Sequence, residues 1–110
     1  MTTFVCINNL SDFSNDLESP KIFIKERLSG EKISGLFFYS SAVNEFLNEA
    51  RLTEWLEYSL SEKIPVYACR NSLIKRNISE KINPLISVVG LGQLIEGVLN
   101  NNKTIVIGSL

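Results

Sequence analysis

Apolar positions along this chain fall into short unbroken runs that alternate with stretches of helical spacing. Phe4-Val5-Cys6-Ile7 is apolar throughout and stops at Asn8-Asn9, as expected of a strand buried on both faces. Ser11 to Ser19 is polar and reads as a loop. Ser19-Pro20 then supplies an N-cap with proline at the first helical position, and Gly30 stops the helix after about Ser29. Ile33 to Tyr39, with Gly35-Leu36-Phe37-Phe38-Tyr39, predicts a second buried strand. Val43, Phe46, Leu47 and Ala50 recur at i, i+3, i+4 and i+7, one face of a helix. The phase slips near Arg51, and Leu52, Trp55, Leu56 and Leu60 form a second stripe, so a kink or two helices are expected.

Ile64 to Cys69 is a third strand, with Pro65 near its start, where a missing donor is tolerated. Arg70 to Arg76 predicts a short helix and Asn83-Pro84 a turn. Leu85-Ile86-Ser87-Val88-Val89 is a fourth strand, closed by Gly90-Leu91-Gly92. Leu91, Leu94, Ile95 and Val98 give the clearest helical face in the chain. Asn100-Asn101-Asn102 ends that helix, and Thr104-Ile105-Val106-Ile107 is the last strand. Strands apolar on both faces and joined by helices imply a three-layer α/β/α domain, residues 1–110, with a five-stranded, mainly parallel sheet.

Composition narrows the function classes. The 110 residues are 45% hydrophobic and 21% charged, enough for an ordinary globular core. A net charge of −1 does not suit direct nucleic-acid binding, which favours basic surfaces. The first residues lack a basic segment followed by an apolar one, and no apolar run approaches a membrane span. A cytoplasmic protein with no membrane contact is expected, its two cysteines reduced. The chain has no histidine, which removes histidine acid–base catalysis, Cys-His dyads and most zinc sites. No metal or other cofactor is expected.

Chemistry then rests on Cys69. It closes the third strand and opens the next helix, and open parallel sheets gather reactive groups at strand carboxyl ends. Backbone N–H groups there, with Arg70, Lys75 and Arg76 following, favour a thiolate able to hold sulfur as a persulfide. Position alone leaves a buried structural cysteine equally open. Cys6, inside an apolar run with no cation nearby, reads as a small core residue. A phosphatase- or rhodanese-type loop needs arginine six residues after the cysteine, and Lys75 holds that place. Gly90-x-Gly92 lacks the third glycine of a phosphate loop, so a strand-to-helix turn explains it more simply. Trp55 and Phe37-Phe38-Tyr39 read as core.

Four stretches carry a family likeness. Gly35-Leu36-Phe37-Phe38-Tyr39 with Val43 resembles the G-x-F-F-Y strand of the DsrE/TusD family of sulfur-relay proteins, and Trp55 resembles the tryptophan of its next helix. Pro65 to Cys69, with Leu73 and Lys75-Arg76, is similar to its strand ending in the active cysteine and the basic pair beyond. Asn77, where the family has glycine, can still adopt a left-handed turn. Gly90-Leu91-Gly92-Gln93-Leu94 with Glu96 resembles its C-terminal stretch. The likeness covers roughly residues 33–107.

The resemblance implies a DsrE-like fold and a sulfurtransferase in which Cys69 carries a persulfide. It implies a TusA-like sulfur donor, a DsrC/TusE-like acceptor, and paralogous subunits in a trimer or hexamer. The sulfur would end in tRNA 2-thiouridine or belong to sulfur oxidation. Two other classes stay open: a non-catalytic assembly subunit of a DsrE/TusBCD-like complex, and a small-ligand-binding α/β module.

Overall fold

The computed structural model describes residues 1–9 and 20–108. The expected loop from Ser11 to Ser19, with the Ser19 cap, lies outside the described residues. The elements run β1 (Thr3–Ile7), α1 (Pro20–Arg27), β2 (Ile33–Phe38), a 3₁₀ helix (Ser40–Leu47), α2 (Glu49–Glu62), β3 (Val66–Cys69) and α3 (Arg70–Lys75). A 3₁₀ turn (Ser79–Lys81), β4 (Ser87–Val89), α4 (Leu91–Asn100) and β5 (Lys103–Ile107) follow. The five strands form one sheet in the order β4-β3-β2-β1-β5, and every pairing is parallel.

That order decides where the helices lie. From β1 to β4 the chain steps across the sheet in one direction, so right-handed crossovers put α1, α2 and α3 on one face. The step from β4 to β5 returns across the whole sheet and puts α4 on the other. The packing agrees. Phe23, Trp55 and Leu73 join the larger cluster with Val5, Ile7, Leu36, Phe38, Val66 and Ala68. Leu94 packs against the smaller cluster of Phe4, Cys6, Phe37 and Cys69. Strand alternation thus sends both cysteines to the α4 face.

The phase slip in the middle of the chain is a true break, three residues before Arg51. The 3₁₀ helix ends at Asn48, whose extended backbone restarts the chain as α2 while its side-chain oxygen accepts a hydrogen bond from the Arg51 N–H at 3.1 Å. Trp55 is fully buried, with ring centroids 5.0 Å from Phe38 and 6.0 Å from Phe23. Its indole N–H donates to Glu45 Oε1 at 3.1 Å, and Arg51 Nε donates to both oxygens of the same carboxylate. Trp55, Phe37 and Phe38 are core residues, as their spacing implied.

The last helix departs from its sequence reading. Its apolar stripe exists, but Leu91, Ile95 and Val98 face solvent and only Leu94 turns to the sheet. The helix seats itself through Gly97, its one buried residue. A Cβ at Gly97 would lie closer than 3.0 Å to three carbons of the Phe4 ring. Gly90 and Gly92 show no such need: a Cβ at either would meet nothing within 4 Å, and neither has a positive φ. The strand-to-helix turn therefore does not demand those two glycines.

Among the described residues no helix is long and apolar enough to cross a membrane.

Candidate functional site

Adjacent strands whose following helices go to opposite faces open a crevice at their carboxyl ends. Here those strands are β3, followed by α3 on one face, and β4, followed by α4 on the other. Cys69 is the last residue of β3 and pairs in register with Val89, the last residue of β4. The sequence places Cys69 at a strand end; the strand order places it at the switch point of the sheet.

Hydrogen bonds tie the neighbouring loops together at this crest. The Ser40 N–H donates to Ser72 Oγ at 2.8 Å, which fastens the chain leaving β2 to α3. Ser40 has a positive φ of 54°, a conformation uncommon for serine, and this bond holds it there. The Ala42 N–H donates to the Asn8 carbonyl at 3.1 Å and the Tyr39 N–H to the Ile7 carbonyl at 3.0 Å, joining the loops after β1 and β2. Ser40 and Ser72 escaped sequence reasoning because a bond between residues 32 apart leaves no local signal. Asn77 does adopt the left-handed turn, with φ of 55°.

The three candidate cations do not gather around the thiol. Helix α3 begins at once with Arg70, so residues 70–75 wind as a helix and form no oxyanion-cradling loop. Arg70 is exposed beside Cys69, whereas Lys75 and Arg76 lie about 8–9 Å farther along the helix axis. Arg76 Nη1 donates to the Ser72 carbonyl at 3.2 Å. Cys69 itself is 5% exposed, packed in the cluster with Cys6 and Phe37.

Cys6 behaves as the sequence implies. It is 3% exposed, and burial pushes its thiol up to about 11. The two cysteines share a face but not a bond. Cys6 is in register with Phe37, Phe37 with Tyr67, and Cys69 stands two residues beyond Tyr67. Two strand spacings and two residues of rise separate their Cα atoms by about 12 Å, too far for a disulfide. Tyr39, at the end of β2, packs against the same cluster. Burial, and to a lesser extent the Cys6 thiol, hold its phenol above its ordinary range.

A stability consequence follows for Cys6. Its folded-state acidity is weaker than its unfolded one, so its contribution is complete below about pH 9 and is lost as pH rises through about 11. Thermal unfolding from pH 8 to 11 is expected to show a decline that is shallower in Cys6→Ala. Equal slopes in the two proteins would remove Cys6 as the cause.

Among the described residues no cluster of three or more metal-ligating side chains occurs. A groove of about 270 Å³ between α1 and α2, lined by Lys21, Ile24, Glu57 and Tyr58, lies on the face away from Cys69.

The DsrE/DsrF-like family matches residues 5–107. The chain belongs to that family. The family is associated with sulfur relay, and the match takes in β2 to β5, the last three residues of β1 and the crevice. The crystal structure of the ychN protein from E. coli is similar over 97% of this chain and 100% of that one, with a TM-score of 0.67 and 21% identity. At that identity the likeness is one of fold, and it bears out the five-stranded α/β reading. No curated protein gives a significant match to the sequence.

Proposed function

We propose that this DsrE-like protein is a sulfurtransferase of a sulfur relay, carrying one sulfur atom as a persulfide on Cys69. The observation that carries the reading is the position of Cys69 at the switch point between β3 and β4. Cys6 has no such place, since it sits within the β1–β2–β5 pairings under the same cluster.

The chemistry needs only sulfur exchange. The Cys69 thiolate attacks the outer sulfur of a donor persulfide, a new S–S bond forms at Cys69, and the donor leaves as a thiolate. An acceptor thiolate then attacks that outer sulfur and releases the Cys69 thiolate. No net oxidation occurs and no histidine is called for. Loading also moves the reacting atom: the added sulfur stands about 2 Å beyond Sγ. Arg70, exposed next to Cys69, is the cation that supports the thiolate and attracts an anionic sulfur donor, with Lys75 and Arg76 adding weaker, more distant positive charge farther along α3. A TusA-like protein is the proposed donor and a DsrC/TusE-like protein the acceptor, within a trimer or hexamer that includes paralogous subunits. The sulfur serves tRNA 2-thiouridine synthesis or sulfur oxidation.

The burial of Cys69 favours one second reading, a non-catalytic assembly subunit of the same kind of complex. Incubation with a persulfide donor followed by mass spectrometry under non-reducing conditions separates the two. One added sulfur on the peptide holding Cys69, lost again on addition of an acceptor thiol, is the expected result. No added sulfur at Cys69 leaves the assembly-subunit reading.

A further inference from the structure

A cleft of about 150 Å³ opens between α4 and the sheet, on the face that carries Cys69 but toward the amino ends of the strands. Phe4 and Tyr67 line it from the sheet, their ring centroids 6.5 Å apart. Both rings keep their places because two elements supply no Cβ. One at Gly35 would lie 3.1 Å from Tyr67 and 3.2 Å from Phe4, and one at Gly97 would overlap the Phe4 ring. Another part of the wall comes from an irregularity. The β1–β2 ladder passes over Ser34, since Thr3 is in register with Ile33 and Phe4 with Gly35. Bulges are rare between parallel strands, and they re-aim side chains. This one puts Ser34 on the same side of the sheet as Gly35, where it lines the cleft.

The groups around the cleft have spent their donors and kept their acceptors. The Ser34 hydroxyl donates to the Thr3 carbonyl at 3.2 Å, which leaves its lone pairs. Asn101 Nδ2 donates to the Gly97 carbonyl at 2.6 Å. A carbonyl only accepts, so the orientation of that amide is fixed and its oxygen is the end left over. Glu96 offers acceptors alone, is the one charged side chain lining the cleft, and has no ion pair among the described residues. Of the two rings Phe4 is covered, and half-buried Tyr67 is the one a ligand can reach. The occupant that fits is cationic, rich in donors, without acceptors, and flat where it meets a ring. A guanidinium group has five N–H donors in one plane, no acceptor, weak hydration and a tendency to stack on aromatic faces. An ammonium group matches the charge but not the plane, and it is more strongly hydrated.

We propose that this cleft binds a guanidinium group, stacked on Tyr67 and paired with Glu96. Ordinary ligand pockets start at about 300 Å³, so the cleft takes a head group of this size and not a nucleotide. The site is separate from the sulfur chemistry, since Cys69 stands two residues beyond Tyr67 on β3. The group belongs either to a free guanidino compound or to an arginine side chain of another protein.

NMR titration of the full chain with ethylguanidinium chloride, against ethylammonium chloride at equal ionic strength, tests this. Ethylguanidinium is expected to shift the amide signals of Gln93, Gly97 and Asn101 saturably, with a Kd on the order of 10 mM for one exposed charge pair and one stacked ring. Ethylammonium is expected to bind several-fold more weakly. Glu96→Gln, a change at an exposed position, is expected to weaken guanidinium binding about tenfold. Tyr67→Phe is expected to keep the preference for guanidinium and Tyr67→Leu to lose it, while Cys69→Ala binds as the wild type does. Arginine and N-acetylarginine methylamide then distinguish the sources: binding of both assigns a side chain within a protein, and binding of arginine alone assigns the free compound. No saturable shift, equal binding of the two ethyl cations, or unchanged binding by Glu96→Gln would each overturn the assignment.

Discussion

Replacing Cys69 with alanine is expected to abolish sulfur transfer while the chain still folds. Alanine removes one sulfur from a cluster built mainly on Phe4, Phe37 and Tyr67, a loss of about 1–2 kcal/mol. Serine at the same place adds the cost of a hydroxyl in apolar surroundings, so alanine is the cleaner test. The converse change, Cys6→Ser, is expected to keep transfer and lose about 1–3 kcal/mol of stability, because Cys6 is 3% exposed in the same cluster. Transfer of labelled sulfur from a loaded carrier to each variant, with denaturant unfolding in parallel, reads both quantities. Transfer by Cys69→Ala at the wild-type rate would end the assignment. Loss of transfer in a folded Cys6→Ser protein would move the chemistry to the other thiol.

Gly97→Ala is expected to destabilise the protein although it improves the helix. Alanine for glycine within a helix contributes about 1 kcal/mol in its favour. Against this, the new Cβ would approach three carbons of the buried Phe4 ring closer than 3.0 Å, and that ring is hemmed in by Phe37 and Tyr67. Overpacking against a rigid ring costs about 1–3 kcal/mol, so the net effect is a loss of up to about 2 kcal/mol. A second change, Phe4→Leu, makes room. The double variant is expected to be more stable than the sum of the two single losses implies, since the residues touch. Chemical denaturation of all four proteins measures the coupling. Additive losses would mean that Phe4 is not what Gly97 accommodates.

The alternation of apolar runs and helical stripes made the five strands and the layer architecture legible, because buried parallel strands leave unbroken apolar runs such as Phe4–Ile7. It also brought out Cys69 as the end of a strand. What it lacked was direction. Helical spacing in α4 identifies a stripe but not which way it points. Only the contact between Gly97 and Phe4 reveals that Leu91, Ile95 and Val98 look outward. The grouping of Arg70, Lys75 and Arg76 around the thiol likewise assumed closeness in space from closeness in sequence. A helix that starts at Arg70 spreads them along its axis instead. Strand order, and with it the switch point, was beyond reach because it depends on long-range pairing.

The position of β5 has a bearing on how the chain is made. Its partner β1 lies a hundred residues earlier, with Thr3 opposite Lys103 and Ile7 opposite Ile107. As the polypeptide leaves the ribosome, β1 to β4 can assemble in sequence, each new strand extending the sheet at its growing side. Throughout that time the other edge of β1 offers unpaired N–H and C=O groups beside apolar side chains, a template for any extended segment that comes near. Only the last strand to emerge closes it. Closure must bring together strands a hundred residues apart, and such long-range pairing is slow. The nascent protein therefore carries its greatest risk of misassociation between synthesis of β4 and arrival of β5, an interval in which a chaperone that binds extended apolar segments would have its target at β1.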